Sequence, residues 1–124
     1  MRILGFSKHW EKLNNDEFTT FRFPREDKDW EIGERVQVFY KPRSSKNKQY
    51  LGVAEICNKE ERSMYVYNID GDMEAQEDGF ANKHEMLLWL NKVYGKRWLY
   101  ESMNRLTLRW VRPPHLEGDI VKGM

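Results

Sequence analysis

The sequence predicts a small α+β domain, a β-barrel of about five to six strands with two or three helices. Three observations predict it. Short runs rich in β-branched and aromatic residues recur along the chain, joined by brief polar loops, which is the pattern of an antiparallel meander or barrel. The helical signal is clearest in one segment, Lys83 to Tyr94. Finally, 124 residues, 40% of them hydrophobic and including five Trp, six Tyr and six Phe, support one buried core and hardly two.

Met1 to Phe6 is apolar and too brief for a helix, so it predicts the first strand. Ser7 is placed to cap a short helix running to about Asn14, with Trp10 and Leu13 on one face. Asn14-Asn15 favours chain reversal, and Phe18 to Phe23 predicts a strand that Pro24 closes. Gly33 permits a turn into a strand where Val36, Val38 and Tyr40 alternate with Gln37 and Phe39. Tyr50 to Asn58 predicts the next strand, with Gly52 marking a bulge or close approach, and Met64 to Ile69 another. A short helical turn is expected near Met73 to Asp78, ending at Gly79.

In the main helix Asn82 is the cap, Glu85 lies three residues on, and Gly95 supplies the stop. Met86, Leu87, Leu90, Val93 and Tyr94 form its apolar face. Met103 to Val111 predicts the last strand, with Leu106, Leu108 and Trp110 facing one way and Arg105, Thr107 and Arg109 the other. The domain is expected to span 1–112, and 113–124, from Pro113-Pro114 on, to be a loose tail.

No stretch approaches the ~20 apolar residues that span a bilayer, and the first ten residues lack the pattern of a signal peptide. A lone Cys57 forms no internal disulfide, and it reads as a small buried strand residue. The expectation is one soluble, cytoplasmic domain without a membrane partner; the sequence does not set its oligomeric state. His9, His84 and His115 are scattered and Cys57 has no partner at a chelating spacing, so no metal site and no cofactor are expected. There is no phosphate-binding loop, dinucleotide fingerprint or nucleophile elbow.

The net charge of +1 hides segregation. The loop Lys41 to Lys48 holds Lys41, Arg43, Lys46 and Lys48 with no acid, whereas Asp70 to Asp78 holds five acids and no base. Arg105 and Arg109 fall in a third, basic block. These blocks read either as ordinary solvated charge or as an anion-binding face. On the strand from Phe18, Thr20 and Arg22 point to one side, and a hydroxyl beside a guanidinium suits a phosphate or a polarised carbonyl. A β-favouring Thr and a solvated Arg explain the same pattern.

Several motifs follow one another in a familiar order. They are Thr20-x-Arg22, Trp30-x-Ile-Gly-Glu-Arg-Val36, Leu51-Gly-Val-Ala-Glu-Ile56 and Ala75-Gln-Glu-Asp-Gly-Phe80, the last leading into a helix with Met86-Leu-Leu-Trp-Leu90 and Tyr94-Gly95. In this succession, over about Leu4 to Val111, the chain resembles the ASCH domains, a branch of the PUA-like β-barrel superfamily. That resemblance implies a PUA-like barrel that binds RNA, a nucleotide or a modified nucleoside in a cleft between barrel and helices. Some members hydrolyse 4-acetylcytidine using a Lys, a Thr and a later acid. The Thr corresponds to Thr20 and the acid to Asp78, while the Lys position is occupied by Glu17, a reversal of charge. With Glu17, Thr20 and Asp78 as the catalytic set, a threonine nucleophile lacks an adjacent cation.

The primary expectation is therefore RNA or nucleotide binding through Arg22, Lys41, Arg43, Lys46, Lys48, Arg105 and Arg109, with enzymatic activity leaning towards absent. Trp30, Tyr40, Tyr65 and Trp110 are the candidate stacking rings. An amidohydrolase acting on an acylated nucleoside is the alternative, and a protein-interaction domain is the third reading.

Overall fold

The computed structural model of the chain describes residues 1–64 and 71–111. In chain order the elements are β1 (Arg2–Phe6), a 3-10 turn (Glu11–Asn14), β2 (Glu17–Arg22), β3 (Arg35–Tyr40), β4 (Gln49–Arg62), α1 (Gly71–Glu77), α2 (Lys83–Tyr94), a second 3-10 turn (Arg97–Leu99) and β5 (Met103–Trp110). The five strands form one sheet in the order β1-β3-β4-β5-β2. β1 runs parallel to β3, and every other pairing is antiparallel. The described residues thus form an α+β domain built on an open five-stranded sheet with two α-helices. Where the sequence predicts a barrel, the ladders among the described residues leave β1 and β2 as edges. From Tyr65 on, the strand expected at Met64 to Ile69 lies outside the described residues, as do the proposed tail and His115.

β4 carries the curvature. Its 14 residues pair with β3 over the first half and with β5 over the second. The register shifts twice along it, once at Leu51-Gly52 opposite Val38 and Phe39, and again at Cys57 between Ile56 and Asn58. An extra residue on one strand bends it and increases the twist. The first shift falls at Gly52, whose φ of 144° explains the glycine there. Cys57 is half-buried at the second shift and is not the buried strand residue expected.

The sheet curls far enough to bring its two edges within one side chain of each other. From β2, the Arg22 guanidinium Nη2 donates to the Gly5 carbonyl of β1 at 2.8 Å. Inside the curl sits the larger core, where Leu4, Phe6, Phe18, Val36, Val38, Ile56, Leu106 and Leu108 meet. A second core, containing Phe21, Met64, Ala75, Met86, Leu90 and Met103, packs the helices against the outer face of the sheet. Phe80 and Trp89 touch both.

Two local expectations are revised. The helix expected from Ser7 is only the 3-10 turn, and its cap position is Trp10, which makes no side-chain capping bond. Trp10 is buried instead, with its ring edge-on to Phe80 at 5.0 Å and Trp89 at 5.5 Å. Burying an indole among aromatic rings outweighs the small gain of a capped helical turn. In α2 the cap is as expected, Asn82 accepting from the Glu85 amide at 2.9 Å. Its apolar face, however, is only half used: Met86 and Leu90 are buried, while Val93 and Tyr94 stay exposed.

Gly79 lies against the Trp10 ring. Its φ is +108°, and a Cβ there lies 2.8 Å from Trp10 Cε3. Gly33 also has a positive φ, +91°, but open space around it. Gly33→Ala is expected to cost about 1 kcal/mol of backbone strain. Gly79→Ala adds displacement of a packed indole and should cost roughly 2–4 kcal/mol. The two urea midpoints check the difference.

Candidate functional site

An open cleft of about 890 Å³ runs along the gap between β1 and β2, roofed by α2 and by the loop after β3. β2 contributes Thr20 and Arg22, the first 3-10 turn Lys12, and the turn after α1 Asp78 and Phe80. Trp89, Val93 and Tyr94 come from α2, and Lys41 to Ser44 close the far end. Val93 and Tyr94, exposed on α2, thus face a cavity.

At the floor lies a buried ion pair. Lys12 Nζ is 2.9 Å from Asp78 Oδ1, with side-chain exposures of 5% and 7%. Neither charge is tolerable alone at such depth, since each has lost nearly all its water. Burial pushes the Asp78 carboxyl up and the Lys12 ammonium down, and each partner opposes the other's shift. Thr19 Oγ1 donates a long bond, 3.4 Å, to the same Asp78 oxygen. The ammonium also lies over the rings of Trp10, at 5.1 Å, and Phe6, at 5.5 Å.

Arg22 is held differently. Its Nε donates to Thr20 Oγ1 at 3.1 Å, its Nη2 to Gly5, and its guanidinium lies 4.8 Å from the Phe6 ring centre. Burial lowers its pKa, and Tyr94 and Asp78 offset this in part, but a guanidinium stays charged at neutral pH. No carboxylate among the described residues forms an ion pair with it. With Lys12, Arg22, Arg25, Lys41 and Arg43 against Asp78 alone, the lining is strongly cationic.

The predicted residues divide accordingly. Thr20, Arg22, Asp78, Lys41 and Arg43 line the cleft. Thr20 bonds to Arg22, and it is Thr19, not singled out from sequence, that reaches Asp78. Lys46 and Lys48 are exposed on the same loop outside the lining, with Lys48 over the Phe39 ring. Glu17 is not brought to the site, being exposed and paired with Arg109 across the β2–β5 ladder. Arg109 is likewise outside, and Arg105 is spent on Glu60, Glu74 and Glu77. Among the described residues, Lys41, Arg43, Lys46 and Lys48 have no carboxylate partner. Of the candidate rings, Trp30 and Trp110 are buried, Tyr40 is half-buried, and Tyr65 lies outside the described residues.

Lys12, Trp10, Phe80 and Trp89 were not legible as site residues. Lys12 has no local signal, because its partner Asp78 is 66 residues away. No group of three or more His, Cys, Asp or Glu among the described residues is arranged to hold a metal ion. None of the described helices is long and apolar enough to cross a membrane. Comparison with known families, curated proteins and solved structures finds no match to this chain.

Breaking a buried pair from one side strands the other charge, at a cost of about 3–5 kcal/mol. Lys12→Met and Asp78→Asn are each expected to destabilise on that scale. The double variant is expected to lose clearly less than the sum. A thermodynamic cycle from urea denaturation reads this coupling, and simple additivity contradicts it.

Proposed function

We propose that this domain binds RNA or a nucleotide, as a PUA-like barrel does, with a base held in the cleft between the curled sheet and α2. The observation that carries the reading is the composition of the lining. Its cations outnumber its single carboxylate, and Trp10, Phe80, Trp89 and Tyr94 supply aromatic walls. Phosphates seek the former and bases the latter. The resemblance to ASCH domains favours the same ligand class. A pairing contrast supports it further. Arg105 and Arg109 are neutralised by acids, whereas the cations of the Lys41–Lys48 loop carry no such partners among the described residues.

Arg22 is the phosphate or carbonyl anchor in this reading, and its test is a tryptophan-fluorescence titration with short single-stranded RNA at two salt concentrations. Arg22→Ala is expected to weaken binding by roughly 1–3 kcal/mol, the scale of a charge-assisted hydrogen bond. Lys46→Ala, outside the cleft, is expected to cost less and to act through the salt-dependent part. Absence of binding at low salt, or equal losses from the two variants, rejects the pocket.

One observation favours a second reading, an amidohydrolase acting on an acylated nucleoside. The cation absent at Glu17 has a substitute in Lys12, whose ammonium lies against Asp78. In this reading Thr20 Oγ attacks the acyl carbonyl, the hydroxyl proton it loses passes by way of Asp78 and Lys12 to the departing amine, and the C–N bond breaks. Water then releases the acid from Thr20, and Arg22 stabilises the oxyanion. Incubation with 4-acetylcytidine should then yield cytidine, with turnover abolished by Thr20→Ala. An inert protein that still binds RNA leaves binding alone.

A further inference from the structure

Lys41 combines two features that the cleft lining does not explain. Its φ of +46° makes it the non-glycine residue with a left-handed backbone among those described. Such a conformation costs any residue with a Cβ energy, and it persists where the surroundings impose it. Here they do. The Lys41 amide donates to the Phe6 carbonyl at 2.7 Å, and Pro42 follows, filling the space that a side chain at Gly5 would need. The strained turn sets Lys41 at the mouth of the cleft.

Directly beside it is a built aromatic stack. The His9 imidazole lies on the Tyr40 ring with centres 3.7 Å apart and planes inclined by 25°. The Lys41 ammonium sits 5.4 Å from the same tyrosine ring. His9 is exposed, and Tyr40 is the one ring stacked on it among the described residues. Neither His9 nor Tyr40 lines the cleft, but each adjoins it through the chain, His9 between Ser7 and Trp10 and Tyr40 before Lys41. Lys41, which lines the cleft, therefore also borders this stack, with Arg43 next along the loop.

We propose that His9, Tyr40 and Lys41 form a platform for the nucleotide following the one in the cleft, so that the ligand is a single-stranded nucleic acid of two or more nucleotides and not a free nucleotide. The inference rests on the nucleotide-binding reading of the cleft and specifies its ligand. A base stacks on the face of His9 away from Tyr40, and Lys41 and Arg43 take the phosphate between the two bases. Stacking of this kind tolerates any base, since every base has a flat face.

The test compares cytidine 5′-monophosphate with a five-nucleotide single-stranded RNA, using the wild type, His9→Ala, Tyr40→Leu and Lys41→Gly. The wild type should bind the oligonucleotide at least tenfold more tightly than the mononucleotide. His9→Ala should reduce oligonucleotide affinity roughly tenfold, the scale of one lost stack, and leave mononucleotide affinity unchanged. Tyr40→Leu should follow it, with its urea midpoint recorded to confirm folding. Lys41→Gly should raise the urea midpoint by relieving the left-handed strain, and at the same time weaken oligonucleotide binding. Equal affinity for the two ligands, or an oligonucleotide advantage untouched by His9→Ala, overturns the platform and leaves the cleft reading standing. Failure of both ligands to bind at low salt overturns the cleft reading itself.

Discussion

The arrangement around the cleft depends on one buried charge pair. Lys12 comes from a turn between the first two strands and Asp78 from the turn after α1, and the two meet where almost no water reaches. Two ions in such surroundings bind each other because each has lost nearly all its water. The pair therefore locks the short turn to the helical layer and fixes the height of the cleft floor. Close by, Trp10 is buried against Gly79.

The same economy of charge governs the rest of the surface. Over the β4–β5 half of the sheet, bases are matched to acids: Arg62 to Glu60 and Glu74, Arg105 to Glu60 and Glu77, Arg109 to Glu17. At the other end, the loop after β3 and the guanidinium of Arg22 are left without carboxylate partners among the described residues. A nearly neutral chain thereby acquires one cationic opening, and a cleft with low-dielectric aromatic walls concentrates that potential. The curl produced by the two register shifts in β4 brings β2 back to β1, and Arg22 spans the remaining gap.

Much of the architecture was legible from local pattern. Alternation in Val36–Val38 and in Leu106–Leu108–Trp110 marked the inward faces of β3 and β5, and Asn82 and Gly95 marked the ends of α2. These signals are strong because each depends on neighbours a few residues away. The short helix expected after β1 failed for the opposite reason. Ser7 is a good cap, but the burial of Trp10 against Phe80 and Trp89 decides the backbone there. Val93 and Tyr94 fit the helical period of a core face, yet they border an open cavity.

By itself the sequence determined the five described strands, the main helix, the segregation of charge and the pairing of Thr20 with Arg22 on one side of β2, all properties of period and composition. Only the tertiary structure decided which charges matter to the cleft. It removed Glu17, Arg105 and Arg109 by pairing them elsewhere, and it brought Lys12 to Asp78 across 66 residues. The physical reason is that an ionic contact depends on distance in space and on lost hydration, and neither quantity is written in the local order of residues.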